Sequence, residues 1–404
     1  MITTMNVPNK RFKNLLPKFN YSRSIIEELG VNVILTDQDD ENNLDLYCYT
    51  KCSNEDDNNL KKCRGIVYHE NQVVMTGFPY TDEYNDTEHD KILEKIGDVI
   101  NKLVIYKAYE GTLIRVFNFN NKWYISTHRK LDAFRSKWSS NESFGESFKK
   151  AIESEYYNNI SFNNFIRNNM MIEEDISIDI FELFKYKLDI NKHYMFLIRN
   201  NIDNKIVCTP PDKPTLYHVG TFCNGELSLA DNSIYISKPE RLYFNSYIRL
   251  LDYVKNIDPL VSPGIIGFIG DRQVKILNKK YQEYFLLRGN EPSINFRYLQ
   301  LRHSPEAVVT FSFLYPHRKE KFVEYENILT NVCINLYKLY KDRYINKNIS
   351  ILSKEDNILI KECHRLYTNK TVPYVTLEVV RYTLNKQSCI ILNHLIRYYI
   401  HSIR

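Results

Sequence analysis

The sequence predicts an α+β protein, with a body of antiparallel sheets and flanking helices over residues 1–290 and an all-helical C-terminal domain over residues 291–404. Two observations carry this. Short runs of alternating apolar and polar residues, cut by Asn- and Asp-rich turns, fill residues 31–130, the pattern of half-buried strands. From about Pro305 the apolar spacing changes to the helical period. No internal repeat or low-complexity linker separates the two regions.

Taken in order, residues 31–36 and 44–50 alternate on either side of the acidic turn 37–43. Strands follow at 64–68, 72–76, 103–109, 112–118 and 123–127, several separated by short Asn-rich turns such as 118–121. A helix is expected over 143–156, where Phe144, Phe148 and Ile152 recur at every fourth position behind a Ser cap. Strands resume at 176–184, 194–199 and 205–209. Residues 240–257 read as helix, and 265–269 with 273–277 as a hairpin around Gly270 and Asp271. In the tail, Phe322, Tyr325, Leu329, Val332, Leu336 and Leu339 trace one helical face. Val379, Val380, Leu384, Ile391, Leu395 and Tyr399 fit one or two further helices.

With 43% hydrophobic and 25% charged residues, the composition is that of a soluble globular protein. A net charge of +5, from 54 basic and 49 acidic residues, permits nucleic-acid binding without demanding it, because clustering matters more than the sum. The abundance of Asn, Lys, Ile and Tyr fits an AT-rich coding sequence, as in a viral or other fast-diverging genome. Of eight cysteines only Cys48 and Cys52 are close, and no second pair follows at zinc spacing. They read as scattered reduced thiols of an intracellular protein. The first residues lack an apolar signal core, and no apolar run reaches the roughly 18 residues of a membrane span. A soluble, cytoplasmic protein is expected.

The segment from Tyr106 to Phe117 reads Tyr-Lys-Ala-Tyr-Glu-Gly-Thr-Leu-Ile-Arg-Val-Phe. Upstream lies Cys63-Arg64-Gly65-Ile66-Val67-Tyr68, followed by Gly77-Phe78-Pro79. Downstream come Ser126-Thr127-His128-Arg129-Lys130, Asp179-Ile180-Phe181-Glu182-Leu183-Phe184, Gly264-Ile265-Ile266-Gly267-Phe268 and Gln273-Val274-Lys275-Ile276. In order and spacing these resemble the motif series of the covalent nucleotidyltransferase superfamily, and of its phage-type RNA ligases in particular. The resemblance implies a nucleotidyltransferase (ATP-grasp-like ligase) body. It also implies ATP with Mg or Mn as cofactors, RNA ends as partners, and strand joining through a lysyl-AMP intermediate. Under it Lys107 is the candidate nucleophile, and Arg64, Glu110, Gly111, His128, Glu182 and Lys275 are candidate nucleotide-binding residues. The segment 127–140 interleaves Arg129, Lys130, Arg135 and Lys137 with Phe134 and Trp138. Cations beside planar rings suit single-stranded RNA, and four-residue spacing of the rings equally suits the buried face of a short helix.

The departures from the pattern are as informative. The family's Lys-x-Asp/Glu-Gly finds Ala108 in its lysine slot, with Lys107 one position early; the Glu-Gly of the fourth motif reads Pro263-Gly264; and the paired lysines of the fifth reduce to Lys275. Strand alternation places Ala108 and Glu110 on one face, Lys107 and Tyr109 on the other, so Lys107 reaches the site only through a bulge. Two further readings therefore stand beside an active ligase: a catalytically degenerate nucleotide- or RNA-binding protein of the same fold, and a capping-type guanylyltransferase.

Overall fold

The computed structural model describes residues 23–168, 179–199, 205–270, 272–348 and 352–403. The chain divides into two compact units, Met1–Tyr284 and Phe285–Arg404.

In the first unit the strands are β1 (Val33–Asp39), β2 (Leu44–Tyr49), β3 (Arg64–His69), β4 (Gln72–Met75), β5 (Asp82–Asn85), β6 (Val104–Lys107) and β7 (Thr112–Phe119). They continue as β8 (Lys122–Ser126), β9 (Lys192–Arg199), β10 (Thr215–Cys223), β11 (Glu226–Ser228), β12 (Arg241–Leu242), β13 (Gly264–Ile269) and β14 (Arg272–Leu277). The helices are α1 (Ser24–Leu29), α2 (Asn58–Lys62), α3 (His89–Ile96), α4 (Phe144–Asn158), α5 (Ile160–Arg167), α6 (Ile180–Lys187) and α7 (Tyr247–Asn256). Helix α8 (Lys279–Arg288) runs across the division between the units.

Three sheets result: an N-terminal meander β1-β2-β3-β4, a second sheet β11-β10-β9-β7-β8 and a third sheet β12-β6-β13-β14-β5. All their pairings are antiparallel except β14 with β5, which corrects the wholly antiparallel expectation at that edge. A central core joins inward residues of all three, including Leu46, Val67, Tyr106, Phe117, Met195 and Phe268. Ile114, Val116, Tyr194 and Phe196 leave the second sheet on its other face and pack against α4, α5 and α6. Ile105, Ile265, Val274 and Ile276 leave the third sheet on its other face and pack against α3 and α7.

Local chemistry explains where the sequence reading holds and where it fails. The β7–β8 hairpin closes on Asn120 and Asn121 at φ +51° and +63°, the left-handed pair of a tight hairpin turn. Ser143 and Glu146 form a reciprocal capping box at the start of α4. Residues 179–184, expected as strand, are instead helical. The Asp179 carboxylate accepts from the backbone N–H groups of Phe181 and Glu182, and Phe181 and Phe184 then share one buried face. The start of that expected strand (176–178) and Asp271 lie outside the described residues. Residues 205–209 are irregular rather than a strand. The helix expected from 240 begins only at Tyr247, behind a Ser246 cap, because Arg241 and Leu242 pair with β6.

The second unit is helical: α9 (Ile294–Leu301), α10 (Pro305–Leu314), α11 (Lys319–Tyr344), α12 (Lys354–Thr368), α13 (Leu377–Asn385) and α14 (Cys389–Ile403). The long α11 buries Phe322, Tyr325, Leu329, Val332 and Leu336, the face read from the period. Arg302, nearly buried, pairs with Glu326 at 2.7 Å, and the Tyr298 hydroxyl donates to the same carboxylate. Among the described residues no helix is long and apolar enough to cross a membrane.

Candidate functional site

The register of the third sheet decides the orientation of Lys107. Tyr106 lies opposite Ile266, and Ile266 opposite Lys275, so these side chains share the face that meets the central core. Lys107 lies opposite Ile265, which packs against α3 and α7 on the reverse face. The pairing of β6 with β13 runs without a register shift, and Ala108 N–H continues it by donating to Gly264 O at 2.9 Å. No bulge turns Lys107 inward. Its Nζ lies 3.4 Å from Glu240 Oε2, and the buried Ala108 holds the inward position.

Glu110 and Gly111 are spoken for by the backbone. The Glu110 carboxylate accepts from Val207 N–H at 2.9 Å and Cys208 N–H at 3.0 Å, and the buried Tyr281 hydroxyl is a third partner. Burial pushes this carboxyl above its ordinary range although all three hydrogen bonds and nearby Lys205 pull the other way. A Cβ on Gly111 would run into the Ile198 carbonyl, so the glycine lets β7 start beside β9.

Arg64 and Lys275 do come to the inner side. Arg64 Nη1 donates to Pro79 O at 3.2 Å and Thr81 Oγ1 at 3.5 Å, and Thr81 donates in turn to Gln273 Oε1 at 2.6 Å. Gln273 precedes Lys275 by two on β14, and Lys275 Nζ is 2.8 Å from Glu83 Oε1. Glu182 is not brought to them. It lies on α6, in the helical layer on the far face of the second sheet, exposed and paired with Lys185 at 2.6 Å.

The basic segment after β8 is partly neutralised. Asp37 of β1, its side chain only 8% exposed, accepts from Leu131 N–H and from Arg135 Nη2, each at 2.8 Å, and from Lys130 Nζ at 3.4 Å. Lys130 and Arg135 are therefore anchors of the segment rather than free cations. Phe134 sits edge-on to Phe181, with its ring against Gly145. Arg129 and Lys137 stay exposed, without an ion pair among the described residues.

One residue of the cluster escaped the sequence reading. Arg115 on β7 is fully buried. Its Nη1 donates to Gly65 O and its Nη2 to Thr127 O at 2.5 Å, while its Nε has no partner. Gly65 adopts φ +78°, and a Cβ there would lie 2.7 Å from Arg115 Nη1 and from His128 Cα and O. Burial, and the neighbouring Arg64, lower the Arg115 guanidinium to about 9. His128 is exposed by area, yet crowding and then the charges of Arg64, Arg115 and Arg129 hold its imidazole down to about 3. The signal was legible: an arginine between Ile114 and Val116 in an apolar strand shares its inward face with Leu113 and Phe117. Among the described residues, no three His, Cys, Asp or Glu side chains converge as metal donors.

No family model matches the sequence. The chain is 31% identical over 349 residues to an immediate-early protein ICP-46 homolog of Invertebrate iridescent virus 6, covering 81% of this chain and 73% of that one. It is 27% identical over 313 residues to the homolog of Invertebrate iridescent virus 3, covering 73% and 63%. With the immediate-early protein ICP-46 of Frog virus 3 it shares 24% identity over 269 residues, 62% of each chain. Among solved structures, a candidate ATP-dependent DNA ligase from Aquifex aeolicus aligns over 87% of this chain and 88% of its own, at 11% identity and TM-score 0.37. A likeness that weak carries no argument about fold or activity.

Proposed function

This chain belongs to the family of iridovirus immediate-early ICP-46 proteins, and we propose that it is a catalytically silent, nucleotidyltransferase-derived protein that binds nucleotide or nucleic-acid phosphate without forming a lysyl-AMP. The observation that carries the reading is the orientation of β6: Ala108 fills the inward slot, and Lys107 faces the opposite side of an unbroken ladder. A nucleophilic amine must sit in line with the α-phosphorus, and a side chain on the reverse face of a sheet cannot. Glu110 and Glu182, the other carboxylates of the motif series, are engaged with backbone N–H groups and with Lys185 respectively. The arginines that suit phosphate oxygens, Arg64 and Arg129, remain without carboxylate partners among the described residues. The residues present thus fit the phosphates of ATP or RNA; they do not fit the covalent step, and among the described residues no three carboxylate, His or Cys side chains converge to hold an Mg or Mn ion.

The test is direct. Incubated with α-labelled ATP or GTP and Mg²⁺ or Mn²⁺, the protein acquires no covalent label, while it retains labelled single-stranded RNA or DNA on a filter at low salt and releases it as salt rises. Covalent label that disappears in Lys107→Ala would restore the active-ligase reading. Absence of both label and nucleic-acid retention would remove the binding role.

A further inference from the structure

The geometry points to one built site for the dianion of a phosphate monoester, with Arg115 as its buried floor and Arg64, His128 and Arg129 as its rim. The inference deepens the binding role proposed above and rests on it.

Arg115 is fully buried and bonded only to two backbone carbonyls, with Nε unpartnered. Linking two carbonyls does not need a charge, since a neutral amide donor of similar reach serves. A buried guanidinium is costly unless an anion faces it. Elsewhere the chain compensates such groups, pairing the nearly buried Arg302 with Glu326 and setting the fully buried Arg288, which also donates to backbone carbonyls, over the Tyr315 ring. Among the described residues no carboxylate pairs with Arg115; its ionisable neighbours are the Cys48 thiol, Arg64, His128 and the buried His193. The groups acting on His128 are likewise all cations: Arg64, Arg115 and Arg129. Four basic side chains from β3, β7 and the segment after β8 are thus held together with no carboxylate among them in the described residues. Gly65 makes this close approach possible, because any side chain there would strike both Arg115 and the His128 backbone.

The rim is accessible: His128 and Arg129 are exposed and Arg64 is half-buried. Planar guanidiniums with several N–H groups suit the divergent oxygens of a terminal phosphate, which carries nearly twice the charge of a phosphodiester. Such a dianion is supplied either by a free phosphate compound or by the 5′ end of a nucleic-acid chain, and the experiment separates them.

Fluorescence anisotropy is measured with two single-stranded RNAs of one sequence, one bearing a 5′-phosphate and one a 5′-hydroxyl, with inorganic phosphate and ATP as competitors. The 5′-phosphorylated strand is expected to bind about tenfold tighter, the scale of one charge-assisted hydrogen bond. Arg129→Ala, an exposed change that leaves the core intact, weakens both strands and removes most of the difference between them. Arg115→Met, checked by circular dichroism for folding, abolishes the preference by removing the charge at the floor. Competition by phosphate or ATP at comparable concentration assigns the site to free phosphates; failure of both to compete assigns it to the chain end. Equal binding of the two strands with no affinity for phosphate or ATP overturns the site, as does a preference that survives Arg129→Ala. Retained 5′-hydroxyl binding in that case leaves the broader binding role standing, whereas covalent labelling sinks that role's silent chemistry alone.

Discussion

Glu110 and Lys107, neighbours in the segment that carries the family resemblance, make unlike contributions to the folded chain. The Glu110 carboxylate satisfies two backbone N–H groups of an irregular segment and the hydroxyl of a buried tyrosine. Its removal leaves all three without their partner, and a buried unsatisfied donor costs on the order of 1–3 kcal/mol. Glu110→Ala is therefore expected to lower stability by about 2–4 kcal/mol, read as a drop in the urea midpoint. Glu110→Gln retains one acceptor oxygen and falls between. Lys107 holds a 3.4 Å ion pair with a Glu240 side chain that is 56% exposed, a contact worth roughly 0–1 kcal/mol. Lys107→Ala serves as the control. If it costs as much as Glu110→Ala, the clasp assigned to Glu110 is wrong.

At the scale of elements, β1 governs how many cations the segment after β8 offers to solvent. Asp37 holds Leu131, Lys130 and Arg135 across 93 to 98 residues of sequence. Asp37→Asn keeps an oxygen for the Leu131 N–H but frees Lys130 and loosens Arg135, which retains Asp132 at 3.6 Å. It is expected to cost about 1–2 kcal/mol of stability and to steepen the dependence of log K for RNA on log salt by roughly one to two units. An unchanged slope would mean that the segment lies outside the nucleic-acid footprint. That long reach is also why Lys130 and Arg135 were misjudged from sequence, where both look like free members of a basic run. Alternation was enough to place β1 to β4, β6 to β8 and the β13–β14 hairpin. It could not find β5, four mostly polar residues whose partner β14 lies 192 positions away. It failed at 179–184 because a short apolar run satisfies either period, and the deciding cue was the Asp179 cap. In the site, the order of motifs led to Arg64, His128 and Arg129. Arg115 was legible from parity alone, whereas the burial that makes it informative required the fold.

Across the whole first unit, a distributed set of neutral histidines sets how the protein responds to acid. His193 and His218 are buried, each with an Nδ1 that has no partner, and His218 Nε2 lies 2.8 Å from Thr221 Oγ1. Burial lowers both to about 4; the Arg115 charge adds to the shift at His193, and Asp231 opposes it at His218. A base with a depressed folded pKa binds its proton first in the unfolded chain, near 6.5. Its neutral form therefore supports the fold above about pH 6.5, and that support is lost as pH falls toward 4, after which the folded state protonates too. Asp39 acts in a lower window. Burial would raise it, but hydrogen bonds from Tyr124 and Lys122 hold it down to about 2, so its contribution disappears only between about pH 4 and 2. Between pH 7 and 5 the two buried histidines are expected to remove on the order of 1–2 kcal/mol each. That is a large share of the roughly 5–15 kcal/mol of an ordinary domain. Urea unfolding at pH 7 and pH 5 should show this loss in the natural chain and much less of it in a His193→Gln, His218→Gln double variant, whatever that variant's stability at pH 7. An equal acid sensitivity in both proteins would move the cause away from these histidines and onto the carboxylates.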